Sequence, residues 1–215
     1  TFVYCSAAKI STAEHFNYDI QDTIMKYRIL FAAYPLFWHG AVLGQLNKKG
    51  KQELSLNGKW QFQTDSASVG EGQLWFVEGG AAYRDEMMVP GNWNTENRYA
   101  FYTGDAWYKK TVFIPSTLKG KLIRLYFEGV YNKAKVWVNG KFVVQNDLGY
   151  LQFEGDISAL LHYGKTNTIV VRADNRFKLG ALWNWGGIRR PVKLMINDPV
   201  YIKQNHVTPQ VNLSD

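Results

Sequence analysis

VYNKAKVWVNGKFVVQNDLGYLQFEGD, residues 130–156, is the stretch that decides the fold class. Val136-Trp137-Val138 combines β-branched and aromatic side chains, which suit a pleated, half-buried surface. It runs into Asn139-Gly140 and returns as Lys141-Phe142-Val143-Val144. Asn-Gly is the strongest short hairpin signal, because a type I′ turn needs positive φ at both central residues. The stretch therefore predicts an antiparallel β-hairpin.

Outward from the hairpin the pattern stays that of strands. They are predicted at 56–62, 74–77, 87–90 and 106–114, the last stopped by Pro115. In 122–127, Ile123, Leu125 and Phe127 share one face by period two. Runs at 168–173 and 191–196 complete the set, and 156–161 reads as one helical turn capped by Asp156. Short strands at regular spacing, with Gly, Asn and Pro between them, argue an all-β sandwich. No internal repeat and no low-complexity linker interrupts the pattern.

The chain of 215 residues is 46% hydrophobic and 15% aromatic, enough for one domain of good size. Eight Trp and thirteen Tyr are core residues by default, because aromatics carry a large burial term. Stacking on the apolar face of a sugar ring is the functional alternative. The net charge is +7; in residues 1–44 Lys9, Lys26 and Arg28 balance Glu14, Asp19 and Asp22, so the excess lies in 45–215. No helix-turn-helix, RNP motif or zinc-finger spacing accompanies it, so nucleic acid is not the predicted partner. Lys48-Lys49-Gly50-Lys51 reads as a solvated stretch. Cys5 is the single cysteine, and His15, His39, His162 and His206 are scattered. Neither a disulfide, nor a metal site, nor a cofactor is predicted.

Met25 is the first methionine. In 25–44, Lys26 and Arg28 form a positive n-region, residues 29–38 are apolar, and Val42 and Gly44 precede Gln45. This is a signal-peptide pattern, too short in its apolar run to span a bilayer. The alternative is an amphipathic or buried helix of the mature protein. The expectation is therefore a periplasmic or secreted protein, with no membrane attachment after export. Residues 1–24 carry no recognisable pattern, 45–199 form the sandwich, and 200–215 look like the first strand of a further domain after Asn197-Asp198-Pro199.

Four stretches, in this order, carry a family resemblance. They are Leu56-Asn57-Gly58-Lys59-Trp60; Val89-Pro90-Gly91-Asn92-Trp93 with Trp107-Tyr108-Lys109-Lys110; Phe127-Glu128-Gly129-Val130 with Val136-Trp137-Val138-Asn139-Gly140; and Trp183-Asn184-Trp185-Gly186-Gly187-Ile188-Arg189-Arg190. Together they resemble the amino-terminal sugar-binding domain of glycoside hydrolase family 2, which holds β-galactosidases, β-glucuronidases and β-mannosidases. The resemblance implies a jelly-roll β-sandwich of the galactose-binding-domain type, followed by an immunoglobulin-like domain and a catalytic barrel. Each stretch also has a physical reading. Pro90 terminates or edges a strand, Gly129 permits a tight turn after a buried strand, and Gly186-Gly187 allows close approach next to bulky Trp185.

The candidate site follows from the resemblance. Arg172-Ala173-Asp174-Asn175-Arg176 ends a strand and enters a long excursion to Trp183. In the family an acid near this strand end reaches a sugar hydroxyl in the active site; Asp174 is the best match, with Asn175 beside it. Trp183-Asn184-Trp185-Gly186 is similar to the Trp-Asp-Trp-Gly of β-mannosidase-like members. Asn184 replaces the acid; its amide donates and accepts but makes no charge-assisted bond. Asp105, in the 103–105 loop, is a third candidate by position. The ordinary alternatives are that Asp and Asn at strand ends make turns, and that Trp183 and Trp185 share one face of a strand as core.

Glycoside hydrolysis needs two carboxyl groups flanking the scissile bond. The resemblance places both, as Glu, in the barrel. Glu96, Glu128 and Glu154 are dispersed, and no Ser-His-Asp arrangement, P-loop or dinucleotide fingerprint is present. No catalytic residue is predicted in this chain. The expectation is a non-catalytic sugar-binding domain of an exported family 2 hydrolase. Its partners would be a carbohydrate with a terminal β-linked sugar and the enzyme's other domains. A free-standing carbohydrate-binding module is the competing reading, since jelly rolls also serve as lectins. A purely structural domain, with Gly186-Gly187 packed on a partner domain, is the third.

Overall fold

The computed structural model describes residues 50–176, 185–202 and 207–208. Its strands, in chain order, are β1 (Gln52–Ser55), β2 (Gly58–Asp65), β3 (Asp85–Val89), β4 (Asp105–Ile114), β5 (Leu122–Phe127) and β6 (Val130–Tyr131). They continue as β7 (Lys133–Val138), β8 (Lys141–Asn146), β9 (Phe153–Asp156), β10 (Lys165–Asp174), β11 (Gly187–Ile188) and β12 (Val192–Asn197). A large sheet has the order β3-β2-β4-β10-β7-β8 and a small one β1-β12-β5-β9, with β11-β6 as a short ribbon. The fold is the all-β jelly-roll sandwich that the sequence implies.

Period-two alternation builds the core between the sheets. Ile123, Leu125 and Phe127 of β5 are wholly buried, as are Phe62 and Tyr108 of the large sheet. Each such side chain contributes roughly 1.5–3 kcal/mol relative to exposure. Asn139 and Gly140 both have positive φ, +50° and +76°, so the β7–β8 turn has the predicted signs. The turn after β9 also forms: Asp156 Oδ1 accepts from Ser158 N at 2.9 Å, heading a 3-10 turn over Ser158–Leu160.

Two expectations need correction. Residues 74–77 are not a strand. They lie in the β2–β3 excursion, 66–84, and Leu74 has φ +56°. Their aromatics bury by lying on the outer face of the large sheet instead of alternating within it. Trp75 and Phe76, with Tyr83, cover Trp107, Trp137 and Val170. Phe76 stacks on Trp137 at 4.8 Å, and Trp137 on Trp107 at 5.4 Å. Second, Gly129 does not have a positive φ. A Cβ there would meet Arg190 Cδ at 3.2 Å, and its carbonyl accepts from the amides of Arg189 and Arg190. Close approach, not turn geometry, explains it. The strand expected in 200–215 lies mostly outside the described residues; within its described part Val200 and Ile202 are exposed, and Tyr201 lies under the Arg124 guanidinium at 5.0 Å. The predicted signal segment, 25–44, lies outside the described residues.

Gly186-Gly187 packs inward, on its own domain. An alanine methyl at 186 would fall 1.9 Å from Cζ2 of buried Trp93, and one at 187 (φ +142°) 2.6 Å from the Gly91 carbonyl. Gly186→Ala is therefore expected to cost roughly 1–3 kcal/mol, the usual range for overpacking. Gly72→Ala, whose methyl would meet only the Val69 carbonyl at 3.6 Å, should stay within about 0.5 kcal/mol of wild type. Urea denaturation of the two variants compares them; equal midpoints would show that the fit at Gly186 is not tight.

Candidate functional site

One end of the large sheet gathers the site. In the register, Asp65 of β2 faces Asp105 of β4, which faces Asp174 of β10, which in turn faces Lys133 of β7. By period two these three carboxylates share the outer face with Trp107 and Arg172. Like charges opposite one another are destabilising, so each needs its own partners.

Asp65 is neutralised locally. Its oxygens accept from the amides of Val69 (2.9 Å) and Gly70 (2.8 Å) and from the Trp107 indole (3.0 Å), which fastens the start of the 66–84 excursion. Asp105 is 1% exposed. Its Oδ2 accepts from Arg176 at 3.0 Å, and Arg172 Nε lies 3.6 Å from Oδ1. Arg172 is held in turn by Glu71 of the excursion, at 2.5 Å. The sequence reading of Asp105 as a sugar contact is thus corrected: the residue is an internal counter-ion, because the excursion and Arg176 close over it.

Asp174 stands at the edge, with its side chain 13% exposed. Oδ1 accepts from the Arg176 amide (2.8 Å) and Nε (2.9 Å), and Oδ2 from the Arg176 guanidinium (3.0 Å). Burial alone would raise the Asp174 carboxyl. The hydrogen bonds from Arg176, and the charges of Arg176 and Arg172, outweigh it and hold the carboxyl below the usual carboxylate range. Among the described residues, one lone-pair position on Oδ2 remains for an incoming hydroxyl. The sequence reading passed over Arg176, though its spacing from Asp174 is the signal of a side chain closing back on a strand end.

Asn175 points the other way. It is fully buried, accepting from the Gly104 amide at 2.8 Å and donating to the Tyr102 carbonyl at 3.3 Å. Its predicted role as a sugar contact is corrected to that of a strut. The Tyr102 carbonyl also receives the Trp93 indole (3.3 Å) and Asn94 Nδ2 (3.1 Å). Tyr102 Oη accepts from the Asp65 amide at 3.1 Å and donates to the Asp105 carbonyl at 2.5 Å; burial pushes its hydroxyl up to about 12, so it stays neutral and donating.

Asn94 was not singled out in the sequence, yet it knits the 91–104 loop. Its amide donates to the carbonyls of Tyr99, Ala100 and Tyr102, and its oxygen accepts from Gly186 N at 2.9 Å. Gly186 O accepts from Trp93 N at 3.1 Å. The two segments so joined present exposed aromatics, Phe101 (89% exposed) and Trp185 (46%). Trp183 and Asn184 lie outside the described residues. This end of the sheet, the rim, thus carries one ionised carboxylate, and the loops tied to it present two exposed aromatics. Hydroxyl acceptance and ring stacking are what such a set can do.

The Asp174–Arg176 pair has a pH signature. A carboxyl whose folded pKa is depressed contributes stability above its unfolded pKa, lost as pH falls through the folded value. Arg176→Gln is expected to cost about 1 kcal/mol at neutral pH, with the difference from wild type shrinking below about pH 4. Thermal unfolding of both proteins at pH 7 and at about pH 3 measures it. A difference that is the same at both would show that the ionised Asp174 is not what Arg176 stabilises.

Residues 54–198 match the model of the glycosyl hydrolases family 2 sugar binding domain. A β-glucuronidase of Bacteroides fragilis is 29% identical over 194 residues, covering 77% of this chain and 26% of that protein. A β-galactosidase of Bacteroides ovatus is 28% identical over 166 residues, covering 71% of this chain and 19% of its own. Among solved structures, the Lactobacillus rhamnosus β-glucuronidase superposes with a TM-score of 0.64 at 32% identity, over 70% of this chain and 29% of that one. The chain thus spans less than a third of the length of these relatives. By its match to the family model, which covers well over half of its length, the chain belongs to glycoside hydrolase family 2, through that family's sugar-binding domain.

Proposed function

We propose that this chain is the non-catalytic, sugar-binding front of an exported family 2 hydrolase that cleaves terminal β-glycosidic bonds. The observation that carries the reading is Asp174. It is an ionised carboxylate at a strand end, clamped by Arg176, with acceptor capacity left over among the described residues. Exposed Trp185 and Phe101 at the same end add stacking surfaces. The relatives named β-glucuronidase and β-galactosidase support a glycoside as substrate, and their greater length leaves room for the catalytic carboxylates elsewhere. Within the rim, Asp65 and Asp105 are tied to internal partners, so neither offers the free acid and nucleophile that glycoside hydrolysis uses. The signal-like pattern of 25–44 supports export.

In this reading the domain braces the barrel and lends Asp174 to the substrate pocket. The coding sequence beyond Asp215 should continue into an immunoglobulin-like domain and a barrel with paired Glu. A stop codon there would leave a free-standing glycan-binding module as the better reading. In the full-length enzyme, Asp174→Ala is expected to lower kcat/KM on an aryl β-glucuronide or β-galactoside by about 10- to 100-fold, with the unfolding midpoint little changed. Unchanged kinetics would remove Asp174 from the pocket.

A further inference from the structure

The outer face of the small sheet carries a second set of polar groups that neither the core nor the rim uses. Glu53, Met195 and Arg124 share one rung of β1, β12 and β5; Lys193, Tyr126 and Glu154 share the next, across β12, β5 and β9. A depression of about 500 Å³ lies over them, with Lys51 at its margin. That volume falls in the range of small-ligand sites.

The groups in it are held in place. Arg124, its side chain 13% exposed, donates to Glu154 Oε1 at 2.6 Å and to Asn197 Oδ1 at 3.1 Å, while its buried Nε meets no acceptor among the described residues. Lys193 bridges Glu53 (3.0 Å) and Glu128 (3.3 Å) and lies 5.2 Å from the Tyr126 ring centroid. Tyr126 donates to Gln152 at 2.7 Å. Acids and bases alternate, so their charges nearly cancel, which disfavours a polyanion. What remains is a grid of fixed donors beside fixed acceptors around the thioether of a nearly buried Met195. A sugar hydroxyl both donates and accepts. A carboxylate next to a guanidinium can therefore take two neighbouring hydroxyls, one by each kind of bond. Among the described residues, Glu154 keeps one carboxylate oxygen without a donor, and Arg124 keeps guanidinium N–H groups without an acceptor.

We propose that this depression is a second carbohydrate site, for a neutral oligosaccharide, on the opposite layer of the sandwich from the rim. A glycan chain held here would be retained near the protein between encounters at another site, raising its effective concentration.

The test is an amide-resolved NMR titration of the 215-residue chain with cellotetraose and, separately, mannotetraose. At least one sugar should shift Arg124, Tyr126, Glu154 and Lys193 together. Tyr126→Ala and Arg124→Lys should each weaken that binding by about tenfold, and Asp174→Ala should leave it unchanged. Tyr126 lies outside the core, so its variant decides the matter if Arg124→Lys disturbs the sheet. Shifts confined to Asp174, Trp185 and Phe101, or no shifts with either sugar, would overturn the proposal. Neither result depends on whether Asp174 serves catalysis.

Discussion

Three aspartates on one rung set the terms for this end of the molecule. Strand register places Asp65, Asp105 and Asp174 side by side on the outer face, and sheet residues such as Arg172 and Trp107 answer only part of that charge. The surrounding structure is arranged around that constraint. Asp65 gathers backbone amides and so anchors the excursion that follows β2. Asp105 takes two arginines and disappears beneath them. Asp174 takes one arginine and stays at the edge. Asp65 and Asp105 are both buried, and Asp174 is the most accessible of the three.

The loops that flank Asp174 owe their rigidity to a few amide side chains. Asn94, Asn175 and the Trp93 indole converge on the Tyr102 carbonyl, while the Tyr102 hydroxyl reaches β2 and β4. Irregular backbone is thus tied to the sheet at nearly every turn. Ligand groups on such a scaffold lose little further freedom when a sugar arrives, which is where preorganised sites gain affinity. The small sheet shows the same principle by other means, since its outer face is ordered by ion pairs and aromatic contacts and not by loops.

Much of the fold was legible because strand alternation and turn chemistry are local. Asn139-Gly140 marks its hairpin without help from the rest of the chain, and Ile123, Leu125 and Phe127 announce one buried face. Residues 74–77 misled because an aromatic run fits a strand and an outer-face cover equally well; only the presence of Trp107 and Trp137 opposite decides between them. Edge strands β1 and β9 are short and half-exposed, so their patterns were faint. At the site, the acid at the end of β10 could be named from the sequence, but its direction and partners could not. Asp174 and Asn175 are neighbours with opposite fates, one outward and one inward, and that choice is made by Tyr102, Gly104 and Arg176. Asp105 looked like a loop residue, and became an interior one only when the distant segment 66–84 closed over it.

The layer of rings over the large sheet has an optical consequence. Trp107 and Trp137 lie 5.4 Å apart with their planes only 24° from parallel, and Trp75 is 5.9 Å from Trp107. Indole chromophores this close exchange excitation, so their near-ultraviolet circular dichroism belongs to the group and not to single residues. Because Trp75 rides on the excursion while Trp107 and Trp137 belong to the sheet, any lifting of that segment would alter the coupling before the core is touched. The chain carries, without a label, a spectroscopic gauge of how firmly its longest covering loop is seated.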